Sequence, residues 1–344
     1  MPVTIHMAKA TLSSLLARVG LDWFIIALVS MIGLAKLWPG PGIQEGTFSL
    51  SSLANFGITL IFFFYGLKLN FAQLQAGLRN YRLHLVIQLT TFIIFPAVVL
   101  AARALLMTPD TTLLWLGIFY VAALPSTVSS SVVMVSIAGG NIPAAIFNAS
   151  ISSLIGVFVT PLWMSFLLAN TSGQYDLVGV IGKLTIQVIV PVILGLLLNR
   201  KLGWLAERNK SWLRYFDQLI ILIIVYTAFC ESFSRNLFAK YSAGDLLWLA
   251  GLLLGLFFLI FGLITLFGKW LNFSREDLIT ALFCGSKKSL IQGTVMANML
   301  FAGSIAGVVL LPIMIYHALQ LIVASILAQG SLKNPTIFRD YSET

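Results

Sequence analysis

The chain has 344 residues, of which 59% are hydrophobic and only 10% charged, and its mean hydropathy is +0.96. Soluble domains carry ~25% charged residues, so this composition excludes a sizeable aqueous domain and specifies an all-α polytopic membrane protein. The net charge of +9 does not argue for nucleic acid, because the basic excess of a membrane protein collects in its cytoplasmic loops.

Residues 1–20 hold Lys9 and Arg18 and are expected to form a cytoplasmic segment. The apolar run that follows ends at Trp38-Pro39 without a small-residue cleavage signature, so an uncleaved first span is expected rather than a signal peptide. Ten apolar segments can be marked, at about 21–38, 50–70, 82–107, 112–138, 143–169, 178–199, 211–232, 245–269, 277–301 and 304–328. Pro39-Gly40-Pro41-Gly42 closes the first and Gly139-Gly140-Asn141 the fourth. Phe71–Arg82 is a short polar connector, and 329–344 is a polar cytoplasmic tail.

Positive charge sets the orientation. With the amino terminus inside, Lys9, Arg18, Lys68, Arg79, Arg82, Arg200, Lys201, Arg208, Lys210, Arg214, Lys269, Arg275, Lys333 and Arg339 fall on the cytoplasmic side. Only Lys36, Arg103, Lys183, Arg235 and Lys240 fall opposite, which puts both termini in the cytoplasm of a plasma (bacterial inner) membrane. Ten spans divide into 21–169 and 178–328. An odd number per half forces the halves into opposite orientations, giving two inverted five-helix repeats.

The fourth segment of each half carries a polar interruption. In segment four it is Leu124-Pro125-Ser126-Thr127-Val128-Ser129-Ser130-Ser131. Pro125 removes a backbone donor and crowds the preceding turn, so the helix should break there, with the hydroxyls satisfying freed backbone groups. One serine in a membrane helix more often back-bonds to a carbonyl or lets helices pack closely; five hydroxyls in six residues beside a proline are harder to explain that way. In segment nine the interruption is Cys284-Gly285-Ser286-Lys287-Lys288-Ser289-Leu290-Ile291-Gln292-Gly293, with unwinding expected between Gly285 and Gly293. Lys287 lies ten residues in from Asp277, about 15 Å of helix, which is close to the middle of a ~30 Å hydrocarbon core. Charges at that depth must face protein or water, whereas a shifted span would make both lysines interfacial anchors. Matching broken helices in two halves mark a transport site.

Further polar groups lie in the neighbouring segments. Segment three has Gln88, Thr90 and Thr91 before Pro96, segment five has Asn148, Ser150, Ser152, Ser153 and Thr160-Pro161, and segment ten has Pro312, Tyr316, His317 and Gln320. His317 and Gln320 share a helix face. A lone membrane histidine is as readily a packed core residue as a proton relay or solute contact. Cys230 and Cys284 both lie in apolar segments, which argues against a disulfide framework. No metal-ligand spacing, nucleophile elbow or midplane carboxylate pair is present, so neither enzyme chemistry, nor a metal site, nor an organic cofactor is expected. Glu231 and Asp217 read as interfacial, and Gly251-Leu252-Leu253-Leu254-Gly255 as a helix-packing motif.

The two interruptions, the Gly140-Asn141 turn and the ten-span count resemble the bile acid:sodium symporter superfamily. Pro312-x-x-x-Tyr316-His317-x-x-Gln320 and Phe283-Cys284-Gly285-Ser286-x-Lys288 resemble its SBF-like branch, whose eukaryotic relatives are the divergent seventh-member type of the bile-acid carriers. The resemblance covers nearly the whole chain. It implies a panel domain (segments 1, 2, 6, 7) rocking against a core domain (3, 4, 5, 8, 9, 10), with segments four and nine crossing at their breaks. It also implies a departure: sodium-coupled relatives carry Glu-x-Gly-x-Gln in segment nine, where this chain has Phe283 and Lys287. The relatives' sodium-binding glutamine in segment three falls on Thr91, and their Ser-Asn pair near Ser130, Ser131 and Val132.

An ammonium near a sodium site repels sodium, so two-sodium coupling is doubtful. Lys287, with Lys288 beside it, is expected to replace a bound sodium, received by hydroxyls and carbonyls of segments four and five. Proton coupling, or lysine binding of a carboxylate or sulfate on the solute, are the other roles open to the pair. The expected function is secondary-active transport of a small organic, anionic amphipathic solute by alternating access. The expected solute/ion-binding residues are Gln88, Thr91, Ser129, Ser130, Ser131, Asn148, Ser152, Lys287, Lys288, Ser289, Gln292, His317 and Gln320, with breaks at Pro125 and Gly285. A non-transporting membrane regulator or sensor that keeps the fold is the competing reading. Besides the solute, the bilayer is the only partner expected, and the oligomeric state is left open.

Overall fold

A computed structural model describes residues 23–44, 46, 49–68, 80–171, 182, 185–239, 241–301, 305–333 and 338. Among these residues there is no strand. The helices are α1 (Trp23–Leu37), α2 (Leu50–Leu67), α3 (Tyr81–Leu106), α4 (Thr112–Ala123), α5 (Ser129–Ala138), α6 (Ile142–Thr171), α7 (Val190–Arg208), α8 (Lys210–Ser234), α9 (Ala243–Trp270), α10 (Arg275–Gly285), α11 (Leu290–Leu300) and α12 (Ile305–Lys333). Seven of them, namely α2, α3, α6, α7 with the turn before it, α8, α9 and α12, are long and apolar enough to cross a membrane. The chain is an integral membrane protein.

Side-chain caps set several helix starts. Ser49, Asn80, Ser274 and Ser289 accept from the third residue of α2, α3, α10 and α11, and Ser242 and Asp245 form a reciprocal capping box on α9. Three starts are tied together. The Asp277 carboxylate accepts from the side-chain amides of Asn80 and Asn141, and Asn141 in turn caps Ala144 of α6. Arg275 donates to Ser331 at 2.9 Å. So α3, α6 and α10 begin, and α12 ends, on one face of the molecule. Gly139, with φ 76°, ends α5 in the left-handed conformation that lets the chain reverse there.

The helices pack as two bundles. In one, α2 lies against α7 and α8, and α1 against α8. At the α2–α7 crossing Gly66 and Gly195 face each other, and a Cβ on either would collide with the opposite backbone carbonyl, of Val192 or Phe63. The other bundle holds α3–α6 and α9–α12, and the main contact between the two is α8 against α11 and α12.

Several expectations are corrected. Gly251 and Gly255 have open space where a Cβ would stand, so this pair packs against nothing among the described residues. Asp217 is buried and paired at 3.3 Å with Lys68, just past the end of α2, rather than being an exposed surface charge. Glu231 does pair with an exposed Arg235. The connector before α3 ends at Asn80, with Tyr81 and Arg82 in the first helical turn, since the asparagine cap starts the helix earlier. α7 continues through Arg200 and Lys201 to Arg208, so these basic residues stand on a helix rather than in a loop. Lys9, Arg18, Arg79, Lys183, Lys240, Arg339 and most of the tail lie outside the described residues.

Candidate functional site

Two breaks meet at the centre of the larger bundle. Residues 124–128 separate α4 from α5, and residues 286–289 separate α10 from α11. They are joined directly: the Ser289 N–H donates to the Pro125 carbonyl at 2.9 Å, and the Ser126 hydroxyl to the Cys284 carbonyl at 2.6 Å. Gly285 closes α10 at the break. Gly293 does not interrupt the helix. It lies inside α11, where a side chain would strike Leu124 and Ile313, and its carbonyl accepts from Tyr120.

A buried backbone carbonyl needs a donor, and the break in α4 frees a run of them. Pro125 has no N–H to offer Val121, whose carbonyl takes Leu124 N–H instead at 3.2 Å. Ser126 N–H turns away from Ala122 to the Ser152 hydroxyl at 2.9 Å. The Ala123 carbonyl is met by the Thr160 hydroxyl at 2.7 Å. That leaves Ala122 and Leu124.

A second source of free carbonyls lies in α3. Thr90–Ile94 form a π turn in which Phe95 N–H reaches back to Thr90, skipping Thr91. The next residue, Pro96, has no N–H, so neither Thr91 nor Phe92 finds a donor in its own helix. The Trp163 indole N–H takes Phe92 at 2.8 Å.

Lys288 takes the other three. Its Nζ donates to the carbonyls of Thr91 at 2.8 Å, Ala122 at 2.7 Å and Leu124 at 2.8 Å, and lies 4.2 Å from the centre of the Phe95 ring. An ammonium has three protons to give, and all three are used. The contacts are charge-assisted, and the ring face adds a cation–π term. Its backbone is fixed as well: N–H donates to Gln320 Oε1 at 2.7 Å and the carbonyl accepts from Gln320 Nε2 at 2.8 Å. The Tyr316 hydroxyl holds the Ser286 carbonyl at 2.6 Å.

Lys287 differs in every respect except burial. Both lysines are 0% exposed, but Lys287 Nζ has no hydrogen-bond partner among the described residues. The caged lysine is therefore Lys288 and not Lys287, and its cage takes two carbonyls from segment four (Ala122 and Leu124), as expected, and one from segment three (Thr91), with no hydroxyl and nothing from segment five. The two side chains leave an unwound segment, so adjacency in sequence does not give them a common direction.

The other expected residues fall around this centre. Gln88 Nε2 donates to Asn148 Oδ1 and O at 3.2 Å, and Asn148 Nδ2 reaches His84 at 2.8 Å. Thr91 contributes its carbonyl, while its hydroxyl back-bonds to Ile87 at 2.7 Å. Ser130 and Ser131 both bond Thr127, at 2.7 and 2.9 Å, and the side chain of Ser129 lies outside the described residues. Gln292 Nε2 donates to the Ser153 carbonyl at 3.3 Å. His317 Nδ1 and Gln320 Nε2 are 3.0 Å apart, on the shared face. Phe95, Trp163 and Tyr120 were missed as participants. The signal for the first two is Pro96, since a helical proline orphans carbonyls one turn before it. Cys230 and Cys284 are free thiols, both buried. Among the described residues no cluster of three or more His, Cys, Asp or Glu could hold a metal.

The family model of the SBF-like CPA transporter family matches residues 22–333, which includes both breaks and every residue of this centre. The chain belongs to that family. It is 42% identical over 308 residues to an uncharacterized protein of Pseudomonas aeruginosa, covering 90% of this chain and 92% of that one. It is 37% identical over 310 residues to the putative symporter YfeH of Escherichia coli (90% and 92%), and 33% identical over 321 residues to sodium/bile acid cotransporter 7-A of Xenopus laevis (91% and 92%). This is a transporter family, and within its member described here the crossing of two broken helices carries two buried lysines, one caged and one without a partner.

Proposed function

We propose that this protein is a secondary-active transporter that moves a small organic, anionic amphipathic solute by alternating access, with the Lys288 ammonium standing where a coupling cation would otherwise bind. The observation that carries the reading is the cage of three backbone carbonyls on Lys288 Nζ. Carbonyl oxygens freed at the π turn of α3 and at the break after α4 are the ligand set of a hard cation, and here a covalently attached cation fills it. A sodium ion added beside two ammonium groups would be repelled at low effective dielectric.

The seven long helices, the shorter α1 and the two broken pairs α4–α5 and α10–α11 give ten crossings, in keeping with two inverted repeats. The smaller bundle corresponds to the panel and the larger to the core, and both termini are assigned to the cytoplasm of a bacterial inner membrane. The name of one relative, sodium/bile acid cotransporter 7-A, supports this solute class, since a bile acid is an amphipathic organic anion.

A thermal melt of purified protein across a sodium titration, with choline balancing ionic strength, tests this. A ligand of the folded state raises the melting temperature as it saturates. No saturable sodium shift is expected, together with uptake of radiolabelled cholate into proteoliposomes that does not change when sodium is replaced by choline. A saturable sodium shift would overturn the built-in cation. Absence of any flux, with the fold intact, would favour a membrane regulator or sensor over a carrier.

A further inference from the structure

Among the described residues Lys287 Nζ is a buried amine without a hydrogen-bond partner, 0% exposed and at the break between α10 and α11. An ammonium removed from water without an acceptor is costly, so an acceptor that arrives from outside would be held strongly. No acceptor among the described residues is hydrogen-bonded to Lys287 Nζ. Lys288 already takes three of the carbonyls at the crossing. The carboxylate of Asp277 is engaged by two asparagine amides at the helix starts, and the ion pairs of the described residues are Lys68–Asp217, Lys210–Glu207 and Arg235–Glu231, none of which includes either lysine. The crossing therefore holds two buried lysines and, among the described residues, no carboxylate paired with either.

There is also a polar approach. His317 is only partly buried and is fixed by Gln320, which holds both backbone groups of Lys288, the neighbour of Lys287. The ring presents Nδ1 to Gln320, which leaves Nε2 on its other edge.

We propose that Lys287 is the receptor for the anionic head of the solute and that it takes a single monovalent oxoanion, carboxylate or sulfonate. This rests on the transport reading for its physiological meaning, but the site itself is tested by binding alone. The positive charge at the crossing selects against cationic and zwitterionic analogues. The short reach of one ammonium, with no arginine fork beside it, favours a single charged head over a dianion.

The experiment uses full-length protein in lipid nanodiscs and a matched probe series: 4-phenylbutyrate and its sulfonate, alcohol and amine counterparts, and cholate with its uncharged 24-alcohol. Melting temperature is read against probe concentration for wild type, Lys287→Met, Lys287→Arg and Lys288→Arg. The expected result is a saturable rise with at least one carboxylate or sulfonate and none with the alcohols or the amine. Lys287→Met should lose about tenfold or more in apparent affinity, and Lys287→Arg should retain part of it. Lys287→Met is expected to fold, since it removes no hydrogen bond; a melt of the unliganded variant checks this. Equal anion binding by wild type and Lys287→Met overturns the assignment, as does a wild type that responds to no anion or responds equally to the alcohols. Lys287-dependent binding without flux in proteoliposomes would leave the site standing and remove the transport reading, so the two failures are distinguishable.

Discussion

The side-chain amide of Gln320 closes both backbone hydrogen bonds of Lys288, accepting from its N–H at 2.7 Å and donating to its carbonyl at 2.8 Å. A residue in an unwound membrane segment has no helical neighbour to serve these groups, and here a single glutamine on α12 does so. Gln320→Leu should orphan a buried donor and acceptor together, at about 2–4 kcal/mol. The check is a thermal or denaturant melt in mild detergent. An unchanged melting temperature would mean that the amide does not hold the break.

The adjacent lysines should respond oppositely to the same substitution. Lys288→Met removes the donor from three buried carbonyls, and breaking a satisfied buried charge of this kind costs about 3–5 kcal/mol. Lys287→Met removes a charge with no partner, and replacement of such a group by an apolar one of similar length is neutral or stabilising by about 1–4 kcal/mol. The two variants melted side by side decide it. Shifts of the same sign would contradict the asymmetry between the cages.

Much of this fold is legible in the sequence. Apolar run lengths give the long helices, and Pro125 and Gly285 mark the two breaks, because a missing N–H and a residue without a side chain act locally. The crossing partners are not legible: Ser289 N–H meets Pro125 across 164 residues of chain. Nor is the choice of lysine. In a helix, adjacent residues diverge by a fixed angle, but residues 286–289 are unwound, so only the fold decides that Lys288 enters the carbonyl cage and Lys287 does not. The cage itself had a partial trace. Pro96 implies free carbonyls one turn earlier, but the π turn that moves the vacancy to Thr91 has no sequence mark.

Glycine spacing misleads for a related reason. The Gly251–Gly255 motif is clear in sequence, yet both positions face open space, whereas Gly66 and Gly195 sit at the α2–α7 backbone contact without such a pair. Gly66→Ala and Gly195→Ala should each separate α2 from α7 and lower the melting temperature substantially. Gly251→Ala should be neutral or stabilising by up to about 1 kcal/mol, the helix propensity gained. Comparable losses at Gly66 and Gly251 would show that α9 packs against something the isolated chain lacks.

Trp163 and Pro96 should be coupled through Phe92. The indole N–H serves the carbonyl that Pro96 cannot, so Trp163→Phe leaves it unsatisfied at a cost of about 1–3 kcal/mol beyond lost packing. In a Pro96→Ala background the new N–H at position 96 is available to Phe92, and the same Trp163→Phe change should cost less. A double-mutant cycle of melting free energies measures the difference. Strict additivity would mean that the two residues do not share that carbonyl.

Alternating access requires the two bundles to separate at one face while they close at the other, and a contact that joins them must then break in each cycle. Asn298 of α11 donates to Asn55 of α2 at 3.0 Å, and Gly307 of α12 lies so close to α8 that a Cβ would strike Ser232. The paired substitution Asn55→Cys and Asn298→Cys should cross-link under copper phenanthroline or a short bis-thiosulfonate. The native thiols are fully buried, so Cys230→Ser and Cys284→Ala serve only to clear the background. Cross-linked protein should lose solute flux in proteoliposomes and regain it on reduction, while each single cysteine variant transports normally. Undiminished flux through the cross-linked protein would mean that α2 and α11 stay together throughout the cycle, and the moving boundary would then have to lie elsewhere than between these bundles.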